Sequence, residues 1–167
     1  PTASHDSMPY FNSFRKTYTS VFDIKADVAL TVYGEMSMSK IADKFAKADF
    51  IYVGGGDTVF MLDHWKKTGL TELIREAYDR GVVVCGLSAG AICWFEQMYT
   101  DSEVGASAEQ YTLFPGLNWI KGTISPHYNA RMLDFDEKIL YNNIDAVGLE
   151  DRSAIEIVNG EIIRSVT

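Results

Sequence analysis

The segment Val82-Val83-Val84-Cys85-Gly86-Leu87-Ser88-Ala89-Gly90 constrains this chain more than any other. Four apolar residues without polar alternation read as a strand covered on both faces, the kind found in parallel sheets wrapped by helices. The run stops in G-x-S-x-G, where small residues permit a tight strand-to-helix turn. The same grammar appears earlier, where the buried strand Phe50-Ile51-Tyr52-Val53 runs straight into Gly54-Gly55-Gly56. A helix follows from about Asp57 to Lys67, and another from Thr71 to Arg80. Strands alternating with helices in this rhythm predict an α/β fold with a mostly parallel sheet.

The remaining elements fit the same class. Met8, Phe11, Phe14, Tyr18 and Phe22 recur at helical spacing over Ser7–Phe22. Val28–Val32 reads as a strand, and Ser37 or Ser39 caps a helix carrying Ile41, Ala42, Phe45 and Ala48. The helix after Ser88 is expected to continue through Ile92, Phe95 and Met98, and Thr100–Gly116 is loop-rich. Gly122–Ser125 is a short strand stopping at Pro126-His127, Phe135–Tyr141 is helical, and Asp145–Leu149 is a strand ending at Glu150-Asp151. Ala154–Val158 and Glu161–Val166 flank Asn159-Gly160, the strongest short signal for a β-hairpin. With 167 residues and no linker or internal repeat, one domain over 1–167 is expected.

Composition excludes several classes of function. A net charge of −8 with dispersed acidic residues disfavours nucleic acid and anionic lipid as partners. The local cluster His64-Trp65-Lys66-Lys67 reads as a solvated helix end. No apolar run approaches the roughly 20 residues that span a bilayer, and no signal-peptide pattern is visible. Cys85 and Cys93 read as small buried hydrophobes, which makes a reducing, cytoplasmic setting the expectation. The three histidines and two cysteines have no zinc-site spacing, so neither metal nor organic cofactor is expected.

What remains is nucleophilic chemistry. Ser88 sits in the elbow, and the amide of Ala89 is placed to donate to an oxyanion, with the following helix N-terminus favouring negative charge there. Gly54-Gly55-Gly56-Asp57-Thr58 lacks the G-x-G-x-x-G spacing and the Lys-Ser/Thr pair of phosphate loops. Gly56 is therefore a candidate second oxyanion donor, and Asp57 or Thr58 can cap the helix as well. Serine needs a base. His64 falls within a helix and His5 in an N-terminal loop, whereas His127 follows a strand at the carboxyl edge where such folds place their sites. Glu150 or Asp151, at the end of the next strand, is the candidate acid that orients the base. The chain order Ser, His, acid differs from the α/β-hydrolase order.

Taken jointly, Gly54-Gly55-Gly56-Asp57-Thr58, Gly86-Leu87-Ser88-Ala89-Gly90, Pro126-His127 and Gly148-Leu149-Glu150-Asp151 resemble the peptidase E (aspartyl dipeptidase) family, whose wider group includes cyanophycinase. The resemblance covers nearly the whole chain. It implies a flavodoxin-like three-layer α/β sandwich related to class I glutamine amidotransferases, with serine in place of cysteine. It implies Ser88 as nucleophile, His127 as base, Gly56 and Ala89 as oxyanion donors, and Asp151, with Glu150 its neighbour, as the acid. Gly55, Asp57 and Asn129 are the substrate-binding candidates. The family loop usually reads Gly-Gly-Gly-Asn-Thr, so Asp57 changes the charge beside the site. Arg131 lies too close to His127 to match the family arginine that holds an aspartyl substrate. The family pattern also has a strand ending near Pro1–Ser4 and more strand after Thr167, so the resemblance implies a chain shortened at both ends. The function expected is hydrolysis of short peptides by a serine dipeptidase. An ester or branched-amide hydrolase with the same triad, and a binding or regulatory homologue with little turnover, are the alternatives. Trp119 and Tyr111 are candidates to line a pocket or a homodimer contact.

Overall fold

The aromatic spacing of the N-terminal segment becomes a helix because both of its ends are satisfied locally. Ser7 Oγ accepts from the Tyr10 amide at 3.4 Å, Pro9 lies in the first turn, and Asp23 ends the helix in the left-handed region at φ 52°. This computed structural model describes residues 1–102, 111–142 and 144–167. The chain divides into two units, Pro1–Gly90 and Ala91–Thr167.

The first unit begins with a 3₁₀ turn at Thr2–Ser4, followed by α1 (Met8–Phe22) and α2 (Met38–Phe45). Then come β1 (Phe50–Val53), α3 (Thr58–Thr68), α4 (Leu70–Asp79) and β2 (Val83–Gly86). Phe14 and Tyr18, four residues apart on α1, stack at 4.4 Å and lie against Tyr52 of β1 at 4.5 and 6.1 Å. Asp57 Oδ1 caps α3 by accepting from the Phe60 amide at 3.0 Å, and Gly69 ends it at φ 78°. Ile41, Met61, Trp65, Ile74 and Ala77 are buried as the core of this unit. β1 and β2 are parallel, Phe50 pairing with Val83 and Val53 with Gly86. The two glycine-rich turns therefore leave their strands side by side.

Two expectations for this unit need correction. Val28–Val32 forms no strand, because its amides have another acceptor: Asp6 Oδ2 takes those of Thr31 and Val32 at 2.6 and 2.7 Å. The apolar run reflected burial of Leu30 and Thr31 rather than a ladder. β2, expected to be covered on both faces, has one exposed face: Val83 is 63% exposed, and Cys85 is exposed rather than buried.

A four-residue helical turn, α5 (Ala89–Ile92), joins the units in sequence. In the second unit, β3 (Phe95–Thr100), β4 (Thr112–Pro115), β5 (Ile120–Pro126) and β6 (Ala146–Leu149) form one sheet in the order β4-β3-β5-β6. The pairs β3–β5 and β5–β6 are parallel and β3–β4 is antiparallel. α6 (Tyr128–Asn142) joins β5 to β6, and β7 (Ala154–Val158) and β8 (Glu161–Val166) make the expected antiparallel hairpin about Asn159-Gly160. Phe135, Met98, Tyr99 and Ile124 are its buried core.

Here too the structure amends the reading. The helix after Ser88 stops at Ile92, and Phe95 and Met98 belong to a strand. A short apolar run buried on both sides carries no period that separates helix from strand. α6 starts at Tyr128, seven residues before the expected Phe135. Within the span read as loop, Thr112–Pro115 is a strand, while 103–110 lie outside the described residues. Cys93 is buried as expected. The α/β class with mostly parallel pairing and a terminal hairpin stands. Among the described residues no helix is long and apolar enough to cross a membrane.

Burial in α4 makes a simple test of this packing. Ile74→Ala, at a side chain 1% exposed, is expected to lower unfolding free energy by about 2–5 kcal/mol. Leu140→Ala, at 80% exposed, should change it by no more than about 0.5 kcal/mol. Urea titrations followed by circular dichroism check both.

Candidate active site

Ser88 is held by backbone packed on backbone. A methyl group placed on Gly90 would lie 2.1 Å from the Val53 carbonyl oxygen, and one on Gly86 2.1 Å from that of Gly90. Only glycine admits such approach. The Leu87 amide donates to Val53 O at 3.0 Å, and the Gly90 amide to Leu87 O at 3.0 Å. Between these fixed points Ser88 sits at φ 52°, a left-handed conformation costing a side-chain-bearing residue about 1–2 kcal/mol. The turn at Ser88 thus joins β2 to a helix of one turn instead of the several expected. At so short a helix, stabilisation of an anion falls on individual amides more than on a long helix dipole.

Gly55 lies directly over the serine. A methyl group there would be 3.2 Å from Ser88 Cβ and 3.8 Å from its Oγ. Gly56 adopts φ 138°, and a methyl group on it would strike the Ala3 carbonyl oxygen at 2.1 Å. The amides around these two turns are mostly committed. Gly55 donates to Tyr10 Oη at 3.2 Å and Asp57 to Ala3 O at 2.8 Å, besides those of Leu87 and Gly90. Among the described residues, no hydrogen bond engages the amide of Gly56 or of Ala89. These are the two amides read as oxyanion donors. Asp57, a substrate-binding candidate by sequence, has one carboxylate oxygen on the α3 cap.

In the second unit, His127 ends β5 at φ 52°, and its carbonyl accepts the Ala130 amide at 3.0 Å to open α6. Its Nδ1 lies 2.6 Å from Asp151 Oδ1. A carboxylate can only accept, so Nδ1 carries the hydrogen and the neutral ring keeps its basic lone pair on Nε2. Both side chains are substantially exposed, at 40% and 60%. The pair forms because β5 and β6 run parallel in register, Pro126 opposite Leu149. Asn129 Oδ1 accepts the Asp151 amide at 2.8 Å, which places this substrate-binding candidate behind the acid. Gly148 is glycine because the Tyr128 ring covers it: an added methyl group would meet Cδ2 at 2.5 Å. Tyr128 is held in turn by Asp136, to whose carboxylate its hydroxyl donates at 2.9 and 3.0 Å; that bond pushes the phenol pKa up. Glu150 contributes its carbonyl to Ser153, at 3.2 Å from the amide and 2.7 Å from Oγ, and the acid drawn to His127 is Asp151.

The other histidines have different surroundings. His64 Nε2 donates to Thr31 O at 3.1 Å, and His5 packs on Phe60 with ring centroids 4.0 Å apart. A cavity of about 720 Å³ in the second unit is lined by Tyr111, Asn129, Arg131, Asp134 and Lys138 among others. Its cations are internally occupied. Arg131 donates to Tyr99 O at 3.0 Å and lies 4.2 Å from the Tyr111 ring centroid, while Lys138 meets Asp134 at 2.8 Å and Tyr111 O at 2.9 Å. Trp119 packs against Trp94 at 5.3 Å. The sequence reading missed Tyr10, whose bond to Gly55 spans 45 residues and has no local signature. No group of side chains suited to a metal ion occurs among the described residues.

The chain is similar along its whole length to proteins of one peptidase family. The sequence model of peptidase family S51 matches residues 1–165. The uncharacterized peptidase YgaJ of Bacillus subtilis is 32% identical over 174 aligned residues, covering 100% of this chain and 71% of that protein. The uncharacterized peptidase Lin0382 of Listeria innocua is 36% identical over 135, but the chain spans only 62% of its length. Peptidase E of Haemophilus influenzae is 26% identical over 159, covering 90% of this chain and 72% of that enzyme. Among solved structures, a protein from Listeria monocytogenes EGD-e described as of the peptidase E kind superposes with a TM-score of 0.75 at 27% identity, covering 99% of this chain and 82% of that one.

The glycine clasp predicts a sharp sensitivity. Gly90→Ala should destabilise the protein by about 1–3 kcal/mol or more, since neither contacting backbone atom can yield as a side chain would. Ser88→Ala, which removes one oxygen at the neighbouring position, should change the urea midpoint little by comparison. Equal midpoints for the two variants would contradict the clasp.

Proposed function

The chain belongs to peptidase family S51, and from that premise we propose that it is a serine dipeptidase-like enzyme cleaving short peptides with Ser88 as nucleophile. The observation that carries the reading is the 2.6 Å bond from His127 Nδ1 to Asp151, which fixes the tautomer a general base needs. In this scheme Ser88 Oγ attacks the scissile carbonyl carbon and His127 Nε2 takes its proton. The carbonyl oxygen, now an oxyanion, is held by the amides of Gly56 and Ala89. Collapse of the tetrahedral intermediate breaks the C–N bond as His127 returns the proton to the leaving amine. Water, deprotonated by His127, then attacks the acyl-Ser88 ester and releases the acid and the free serine. Asp151 stays ionised throughout and stabilises the imidazolium. Asn129 supports it by holding its amide. Arg131 and Lys138 are occupied by Tyr99, Tyr111 and Asp134, so we assign no preference for an acidic N-terminal residue.

Intact-mass spectrometry after treatment with a fluorophosphonate is the direct test. One adduct is expected, mapping to Ser88, and it should be lost in Ser88→Ala and strongly slowed in His127→Ala. Labelling elsewhere, or none on a folded sample, would sink the assignment. On a panel of dipeptides and aminoacyl p-nitroanilides, Asp151→Asn should reduce kcat by about 10²–10⁴ with KM little changed, because it reverses the tautomer without emptying the site. An ester-only activity profile would redirect the reading to a non-peptidase hydrolase.

A further inference from the structure

The Gly54-Gly55-Gly56 turn has almost no conformational preference of its own, yet an oxyanion donor must be aimed before the reaction begins. Ordering one backbone residue costs about 1–2 kcal/mol, more for glycine than for others, so something outside the turn has to hold it. Two groups do. On one side the Ala3 carbonyl accepts the Asp57 amide at 2.8 Å. On the other, Tyr10 Oη accepts the Gly55 amide at 3.2 Å, and the Tyr10 ring covers Gly54 so closely that a methyl group there would lie 2.8 Å from Cε1. The amide between these anchors is that of Gly56, which no described hydrogen bond engages. With its neighbours fixed in both directions, the N–H vector of Gly56 is fixed as well.

We propose that Tyr10 is a positioning residue of the oxyanion site, its hydroxyl holding the Gly55 amide so that the Gly56 N–H is aimed in advance at the developing oxyanion beside Ser88. The inference rests on the serine-peptidase reading above. Tyr10 touches neither substrate nor reacting atoms and acts through Gly55. Phe14 and Tyr18, on the same helix as Tyr10, pack in tilted contact on Tyr52 and tie α1 to the strand that enters the turn.

Tyr10→Phe removes the oxygen and keeps the ring on Gly54. In this 167-residue chain it should lower kcat about tenfold on an aminoacyl p-nitroanilide with KM within about twofold, since the misaimed donor acts on the transition state alone. The diagnostic readout is the rate ratio between p-nitrophenyl acetate and p-nitrophenyl thionoacetate. Sulfur is the poorer acceptor, so an intact oxyanion site favours the oxygen ester, and Tyr10→Phe should shrink that preference. A merely structural role would lower both rates alike. Gly54→Ala, whose methyl group would lie 2.8 Å from Tyr10 Cε1 and push that ring aside, should shift both readouts in the same direction, and it decides the matter if Tyr10→Phe fails to fold by near-UV circular dichroism. Wild-type kcat and wild-type ester ratio in the folded variants would overturn the proposal. Wild-type protein that a fluorophosphonate fails to label at Ser88 would instead overturn the peptidase reading, which keeps the two failures apart.

Discussion

The carbonyl of Val53, at the end of β1, is the point on which the geometry of the first unit's two glycine-rich turns depends. It accepts the Leu87 amide, and it lies against Gly90 so closely that any side chain there would occupy the oxygen's own volume. The contact ties the turn after β1 to the turn after β2, so the glycine loop and the serine are positioned by one shared atom. It demands glycine at 86 and 90, and it leaves Ser88 nowhere to go but the left-handed region. The conformational cost at Ser88 is tolerable because packing on both sides over-determines the turn. The same fixed frame separates satisfied amides from the two that no described hydrogen bond engages, those of Gly56 and Ala89, the pair proposed as oxyanion donors. Their neighbours at 55, 57, 87 and 90 all have acceptors.

The second unit solves a related problem with strand register. Pro126 and Leu149 are partners in a parallel pair, so whatever follows each of them emerges at one edge. His127 and Asp151 follow, and the 2.6 Å bond between them needs no long side chain to reach across. Asn129 Oδ1 accepts the Asp151 amide and so ties the start of α6 to the residue that meets the histidine. The left-handed His127 turns the chain directly into α6, which brings Asn129 and Tyr128 to bear within two residues. Tyr128 then covers Gly148, closing a circuit from helix to strand end. Both units thus place one strained, non-glycine residue at the mouth of a parallel strand, Ser88 in one and His127 in the other.

Much of this was legible along the chain. Glycine-flanked Ser88, the triple glycine, Pro126-His127 and the acidic pair after Gly148-Leu149 are local patterns whose residue types follow from steric need, and a sequence preserves such needs directly. The hairpin about Asn159-Gly160 was legible for the same reason, since its turn residues alone specify it. Where the reading failed, a distant partner had overridden a local pattern. Val28–Val32 lost its strand to the carboxylate of Asp6. Phe95 and Met98 took strand form because sheet neighbours at Ile120, Phe114 and Ile124 were available to pair with them.

The sequence by itself determined the class of fold, the glycine-flanked turn at Ser88 and the kinds of residue that could serve a serine, because small residues and strand-terminal polar residues are constrained over a few positions. Tertiary structure alone decided which acid meets His127, why Asn129 stands behind that acid and how Tyr10 reaches Gly55 across 45 residues. Those choices rest on distances of about 3 Å between segments far apart in the chain. No local pattern encodes such a distance; only the packed strands and helices bring the atoms within it.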